Sequence, residues 1–166
     1  YRSSRGLGDV YKRQLFQFPN FTLLALGIGA VSMGIARAAL NEFVGLAQQK
    51  KRISSSSTIA ERSHTQMQIA TAEAKLRSAR AFYYDSVEQA WERALAGDTV
   101  DVDQRRNLRL ATTHAVMASA EVVDCAYNLA GGVSVYQSSN LQRHFRDIHV
   151  CLLYTSDAAD EHSCVG

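Results

Sequence analysis

Residues 107–132, NLRLATTHAVMASAEVVDCAYNLAGG, decide the fold of this chain. Their apolar positions recur at intervals of three and four residues, the spacing that puts side chains on one face of an α-helix. These positions are Leu108, Ala111, Ala115, Ala118, Val122, Cys125 and Leu129. Gly131 and Gly132 favour a helix end, and Asp101 or Asp103 can cap the start. The stretch therefore predicts one long amphipathic helix.

Upstream, residues 21–51 predict a first helix that ends in a basic cluster of Lys50, Lys51 and Arg52. Cations at that end suit the negative pole of a helix dipole. Its first half, residues 21–36, is almost entirely apolar, yet a membrane span needs about 20 such residues and Arg37 follows at once. We therefore favour a helix buried on most sides over a membrane helix. Close approach of neighbouring helices is expected at the small residues Gly27, Gly29, Ala30 and Gly34.

Two more helices complete the pattern. The second starts at Thr58 or a few residues later, because Thr58 and Glu61 fit a capping box. Its predicted buried face is Ile69, Ala72, Leu76, Ala79, Tyr83, Val87, Ala90 and Ala94. A fourth helix begins at Leu141, with Asn140 as its cap. Long helices joined by short connections predict an all-α fold, an up-down antiparallel four-helix bundle.

Both ends of the chain carry a different pattern. DVYKRQ at residues 9–14 and CLLYTS at residues 151–156 can be encoded by opposite strands of one DNA element, read in shifted frames. This pattern resembles a translated sequencing adapter. We therefore expect residues 1–14 and 151–166 to be non-native tails that pack poorly against the bundle. Residues 15–150 are then a truncated helical domain.

The composition limits the classes of function. The 18 basic and 16 acidic residues give a net charge of +2, with mixed signs along the chain. That balance predicts no nucleic-acid partner, and no membrane partner is expected either. Within residues 15–150 Cys125 is the lone cysteine, which favours a reducing compartment and a cytoplasmic location.

Motifs for catalysis are few. Glu61 and His64 have the Glu-x-x-His spacing of di-iron bundles, but the sequence has no second copy. A capping glutamate beside a surface histidine is the better interpretation, and no metal is expected. Ser138 or Ser139 with His149 could form a nucleophile and base, although nothing in the sequence orients them. A phosphate-binding glycine loop is also missing from the sequence.

Three longer stretches carry a resemblance to a known family. They are GIGAVSMGIARAALNEF at residues 27–43, AEAKLRSARAFYY at residues 72–84 and AGGVSVYQSSNLQRHFRDIH at residues 130–149. Together with Arg52 they resemble the C-terminal helical domain of the acyl-CoA dehydrogenase superfamily, which includes flavin-dependent monooxygenases. In that family a Gly-Gly pair follows the third helix and an Arg-Asp pair follows at a fixed distance, as Gly131-Gly132 and Arg146-Asp147 do here.

The resemblance implies roles for individual residues. Arg52 is similar to the arginine that reaches the flavin of a neighbouring subunit, and a cationic fork suits a diphosphate. Gly131 and Gly132 are similar to the pair that lets backbone N–H groups approach the cofactor. One departure is Ser63, which stands where the dehydrogenases usually have a cofactor-binding glutamine. This departure favours a reduced flavin, FMN or FAD, that binds and leaves.

The residues after Arg146-Asp147 indicate the branch, because Ile148-His149 resembles the two-component monooxygenases. There, reduced flavin from a separate flavin reductase forms a flavin hydroperoxide that oxygenates an aromatic or sulfur-heterocycle substrate. His149 is the predicted general acid or base. The family also implies a homotetramer, a dimer of dimers. Two alternatives stay open, an acyl-CoA dehydrogenase that oxidises acyl-CoA thioesters with FAD and a non-catalytic helical assembly module. The fragment by itself is expected to be inactive.

Overall fold

A computed structural model describes residue 18 and residues 20–49 and 58–160. The regular elements of these residues are four long helices and one short 3₁₀ segment in an up-down antiparallel bundle, so the predicted fold class is confirmed. The helices are α1 (Asn20–Gln49), α2 (Ser63–Ala96), α3 (Val102–Ala130) and α4 (Asn140–Asp160), and the 3₁₀ segment Gly131–Val135 joins α3 to α4.

Helix α3 is the centre of the bundle. It packs against each of the other three helices, whereas α1 and α2 contact each other only slightly. Its predicted apolar face is confirmed from Leu108 to Val122, which are at most 3% exposed, whereas Cys125 and Leu129 are only partly buried. Many of its buried residues are alanines, and small side chains let the neighbouring helices come close to the α3 backbone.

Both ends of α3 follow the prediction. The Gln104 backbone N–H donates to Asp101 Oδ1 at 2.8 Å, and the Gln104 side chain accepts from the Asp101 N–H at 3.3 Å. This reciprocal pair is a capping box. At the other end Gly131 has φ = 63° and its N–H donates to the Asn128 carbonyl. Because that backbone conformation favours glycine, Gly131 ends the helix as predicted.

The starts of α2 and α4 differ in detail from the prediction. The Thr58 N–H donates to the Glu61 carboxylate at 2.7 Å, but α2 begins only at Ser63 and Arg62 gives it no side-chain cap. Asn140 is the first residue of α4, and its side-chain amide lies 3.4 Å from both Glu42 carboxylate oxygens. The sequence placed both starts to within a few residues and predicted the Thr58–Glu61 hydrogen bond, but it did not predict the contact of Asn140 with Glu42.

Helix α1 is buried on one face, so the prediction that most of its sides are buried was wrong. Residues such as Ala36, Ala39 and Phe43 are fully buried, whereas Leu24 is 69% exposed. The segment Thr22–Gln49 is long and apolar enough to cross a membrane, with a mean hydropathy of 1.8 and a third of its most apolar window buried. The core helix of a soluble protein meets the same criterion, so this is weak evidence for a membrane.

A charge cluster joins α1 to α2. The Arg37 guanidinium donates twice to the Glu73 carboxylate, at 2.7 and 3.0 Å, and Arg77 donates to it at 2.6 Å. The hydrogen bonds from Arg37, with a smaller contribution from Arg77, lower the pKa of Glu73 to about 2. Because this folded pKa lies below the ordinary value of 4.5, the contribution to stability is present above about pH 4.5. It is lost as the pH falls toward 2.

Gly29 allows a close contact between α1 and its neighbours. A Cβ at this position would lie 2.9 Å from Tyr83 Cε2 and 3.3 Å from Thr112 Cγ2. Tyr83 cannot easily move, since its buried hydroxyl donates to the Leu26 carbonyl at 2.6 Å. The predicted close approach is thus confirmed for Gly29, whereas a Cβ at Gly27 or Gly34 has nothing within 4 Å.

The crowded surroundings of Gly29 and the open surroundings of Gly27 predict opposite effects of a glycine-to-alanine substitution on stability. Gly29→Ala should lower the free energy of unfolding by about 1–3 kcal/mol, the usual cost of overpacking. Gly27→Ala, in the open part of the same helix, should raise it by about 0.5–1 kcal/mol, because alanine loses less backbone entropy than glycine. Urea denaturation of both variants would test this. Equal effects at the two positions would contradict the contact with Tyr83.

The expected tails are only partly described. Residues 1–14 lie outside the described residues, but α4 continues through residue 160. Cys151 and Leu152 are half-buried and pack against the core, so the expectation of poor packing was wrong for these two side chains. Leu153 and Tyr154, at the next two positions, are exposed.

Candidate functional site

The imidazole of His149 is held in one orientation on α4. Its Nδ1 lies 2.8 Å from the Phe145 carbonyl oxygen, and because a carbonyl only accepts, Nδ1 must carry a proton. The imidazole stacks on the Phe145 ring at 4.3 Å between centroids, and Phe145 in turn stacks on Tyr127 of α3 at 4.4 Å. These contacts fix the ring, while 39% of the His149 side chain stays exposed.

An acidic side chain from α3 faces the same imidazole. Asp124 Oδ1 lies 3.7 Å from His149 Nε2, which is close enough for an ion pair but too long for a hydrogen bond. This oxygen is buried and has no hydrogen-bond partner. Burial raises the pKa of Asp124, and the attraction of His149 partly opposes that rise. One oxygen of the carboxylate is therefore shielded from solvent, although 40% of the Asp124 side chain is exposed, and His149 is a candidate cationic partner.

A groove of about 570 Å³ lies between the start of α2 and the end of α3, and we call it the α2–α3 groove. It is lined by Ile59, Arg62, His64, Thr65, Gln68, Glu121, Cys125, Asn128 and Leu129. Gly131 and Gly132 directly follow this end of α3. Both are exposed, and a Cβ on either would meet nothing within 4 Å. The backbone there is open to a ligand or to another domain.

The mouth of the α2–α3 groove is suited to an anion. The first backbone N–H groups of α2 have no side-chain cap, and the positive pole of a helix dipole favours negative charge. Arg62 lies at the same helix start. Glu121 on the opposite wall is paired with Lys75, so its charge is partly neutralised. Cys125 is half-buried, and burial raises the pKa of its thiol, which disfavours a reactive thiolate.

A second, more open groove of about 970 Å³ separates α1 from the start of α4. Glu42, Asn140 and His144 line it. Burial and the neighbouring Arg143 lower the pKa of His144, so this histidine is mostly neutral at physiological pH. None of the predicted site residues that the structure describes lines this groove.

The predicted site residues do not converge on one pocket. His149 faces Asp124 on the α4 side of α3, whereas Gly131 and Gly132 extend the end of α3 beside the α2–α3 groove. Arg52, the third predicted cofactor-binding residue, lies outside the described residues. The His149 ring nitrogens face Phe145 and Asp124 rather than Ser138 or Ser139, which gives the nucleophile alternative no support.

The metal motif has a simple structural explanation. Glu61 binds the Thr58 backbone and His64 is exposed. In the part of the chain that the structure describes, no three histidine, cysteine or acidic side chains come together as a metal site would require. Asp124 and Arg62 were not predicted from the sequence. Arg62 could have been found from its place at the helix start, but Asp124 has no sequence signal.

Fold and site together define an all-helical domain with a half-exposed histidine on its last helix and a polar groove at the end of its central helix. The chain belongs to the family described as acyl-CoA dehydrogenase, C-terminal domain, whose model matches residues 26–157. The predicted family is thereby confirmed.

Curated relatives include monooxygenases. The chain is 43% identical over 135 residues to indole-3-acetate monooxygenase of Pseudomonas putida, covering 81% of this chain and 35% of that protein. It is 32% identical over 146 residues to indole-3-acetate monooxygenase of Acinetobacter baumannii, covering 88% and 38%. The oxygenase component of p-hydroxyphenylacetate 3-hydroxylase, also of Acinetobacter baumannii, is 28% identical over 151 residues, covering 89% and 35%. The chain thus spans little more than a third of these relatives.

Solved structures share the fold. The 3-HSA hydroxylase from Rhodococcus sp. RHA1 superposes with a TM-score of 0.74 at 19% identity, covering 84% of this chain and 35% of that one. XiaF from Streptomyces sp., solved in complex with FADH2 and glycerol, gives a TM-score of 0.73 at 18% identity, covering 78% and 33%. At such identities the likeness establishes the bundle and not the chemistry.

Proposed function

We propose that this chain is the C-terminal domain of a reduced-flavin-dependent monooxygenase that oxygenates an aromatic substrate in the cytoplasm. The observation that carries the proposal is the 43% identity to an indole-3-acetate monooxygenase over 81% of the chain. The His149 imidazole, fixed but still 39% exposed on α4, supplies the acid or base that such chemistry uses. A relative named as an oxygenase component supports a separate flavin reductase as partner.

The surfaces of the domain fit a flavin, FMN or FAD. The α2–α3 groove offers Arg62 and the uncapped start of α2 to a phosphate or diphosphate group. Gly131 and Gly132 leave open space in which a cofactor can lie against the backbone. When bound, reduced flavin supplies the electrons that activate oxygen. The domain holds the phosphate end, orients His149 and helps to exclude water.

The two surfaces also support a homo-oligomer. His149 does not line the α2–α3 groove, so one domain can contribute to two flavin sites, one of them in a neighbouring subunit. The uncovered face of α1 exposes Leu23, Leu24, Val31 and Val44. A contiguous apolar face of this kind is typical of an interface, and a homotetramer built as a dimer of dimers would cover it.

Association of the chain through this face can be measured directly. Sedimentation velocity over micromolar concentrations should detect dimers or tetramers, because burial of the apolar face of α1 favours self-association. Leu24→Glu should shift the chain toward monomer, since a charge would have to be buried in the interface. Met67→Glu, at an exposed position of α2, is the matched control. A parent chain that stays monomeric throughout would contradict the interface.

Arg52 should contribute to flavin affinity in the intact enzyme. Arg52→Ala should weaken flavin binding by about 1.5–3 kcal/mol, the usual contribution of a hydrogen bond to a charged group. Lys51→Ala removes the same charge from the adjacent position and should have a much smaller effect. Fluorescence titration with reduced FMN and FAD under anaerobic conditions gives both dissociation constants. Equal losses for the two variants would reduce the role of Arg52 to general electrostatics.

The proposed reaction is tested on the intact enzyme with reduced flavin, isotopically labelled oxygen gas and indole-3-acetate or 4-hydroxyphenylacetate. Incorporation of one labelled oxygen atom into the product is the expected result. Oxidation of butyryl-CoA without incorporation of oxygen would establish the dehydrogenase alternative. Activity on neither class, together with a lack of flavin binding, would favour the assembly module.

A further inference from the structure

Asp124 stands out among the ionisable groups that the proposed mechanism does not use. We propose that Asp124 is the positioning residue for His149, whose carboxylate favours a proton on the imidazole Nε2. The inference rests on the proposed function for its catalytic meaning. The contact between the two side chains is a property of the domain itself.

The hydrogen bonds available to the His149 ring favour a proton on both nitrogens. Because Nδ1 must donate to the Phe145 carbonyl at 2.8 Å, a neutral His149 ring would have a bare lone pair at Nε2. That lone pair would face Asp124 Oδ1 at 3.7 Å. The carboxylate oxygen is also an acceptor, is buried and has no donor. Two acceptors this close repel each other, so a proton on Nε2 replaces the repulsion with an attraction between opposite charges, even without a hydrogen bond.

The distance between His149 Nε2 and Asp124 Oδ1 leaves the Nε2–H free to bind another acceptor. A hydrogen bond between a charged nitrogen and a carboxylate is typically about 2.7–2.9 Å long, and 3.7 Å is well beyond that range. Asp124 therefore stabilises the positive charge without taking up the Nε2–H. That N–H stays available to a second acceptor, such as an oxygen atom of a bound molecule. In this arrangement His149 acts as a proton donor and not as a base.

The surrounding charges are consistent with this pairing. Glu121 lies one turn before Asp124 on α3 and raises the pKa of Asp124, but it is paired with Lys75 of α2. On α4 itself, Arg146 and Asp147 are exposed and of opposite sign. Phe145 packs against the His149 ring and Tyr127 packs against Phe145, which holds the imidazole in place beside Asp124.

The protonation of His149 can be read by nitrogen NMR on the 166-residue chain with labelled histidine. His149→Gln assigns the signal by its loss. At about pH 7.5, one unit above the ordinary midpoint of a histidine, the fraction with a protonated Nε2 should fall at least twofold in Asp124→Asn. Asp124→Glu should restore it. Glu121→Gln, which removes the neighbouring carboxylate that is already paired with Lys75, should leave it unchanged.

A fall of less than twofold in Asp124→Asn, or an equal fall in Glu121→Gln, would overturn the proposal. If Asp124→Asn does not fold, the spectrum of the unsubstituted chain provides the test. An unprotonated Nε2 in most molecules at that pH would overturn the proposal. In the intact enzyme, Asp124→Asn should lower the yield of oxygenated product per oxygen consumed and Asp124→Glu should recover it. If the parent enzyme oxygenates nothing, the proposed function fails, whereas the NMR result still decides the pairing.

Discussion

His149→Ala in the intact enzyme should lower the rate of substrate oxygenation by about 10²–10⁴-fold, the usual effect of removing one general acid or base. Reduction of flavin by the partner reductase should continue at the parental rate, because it does not use this side chain. Oxygen should then be released as hydrogen peroxide in place of product. The expectation follows from an imidazole that is fixed at Nδ1 and is still 39% exposed.

Stopped-flow absorbance of the reoxidation step, combined with peroxide and product assays, separates these effects. His144→Ala is the matched control. It removes a half-buried histidine of the same helix, which lines the groove between α1 and the start of α4. This substitution should leave the rate of oxygenation unchanged. A His149→Ala enzyme that forms product at the parental rate would show that this histidine is structural. The acid or base would then belong to another domain.

Phe43→Ala should lower the free energy of unfolding by about 3–5 kcal/mol, the cost of a large cavity in a packed core. Phe43 is 1% exposed and belongs to the main hydrophobic cluster of the bundle. Since single domains are stabilised by about 5–15 kcal/mol in total, this loss should leave the chain close to unfolding at physiological temperature.

Met67→Ala provides the comparison, because Met67 is 60% exposed on α2. Its effect should stay within about 0.5 kcal/mol. Urea denaturation followed by circular dichroism, at one protein concentration for all variants, gives both values. A loss below about 1 kcal/mol for Phe43→Ala would mean that the α1 side of the core is loosely packed.

The sequence predicted the fold well where periodicity was strong. The α3 stripe from Leu108 to Leu129 and the end at Gly131 were found because helical spacing and glycine conformation are local properties. The burial of α1 was misjudged for a physical reason. An apolar run such as residues 21–36 indicates that exposure to water is unfavourable. It does not reveal which faces of α1 are buried within this bundle and which would be buried by another subunit.

The site was predicted only in part. Gly131, Gly132 and His149 were named from a family resemblance, and the structure places the glycines directly after α3 and the histidine on α4. The pairing of Asp124 with His149 could not be predicted, because it depends on the register in which α3 and α4 pack against each other. Nothing in the 25-residue separation fixes that register. The roles of these residues and of Arg52 stay predictions.

The central position of α3 has a consequence for how such a domain can be cut and rearranged. Since α3 packs against every other helix, a fragment without α3 would keep the contact between α1 and α4 but leave α2 with little apolar surface to pack against. Breaks in the connection between α1 and α2 should be far better tolerated, because those two helices touch only slightly. New termini from gene fission or circular permutation should therefore succeed before α2 and fail inside α3.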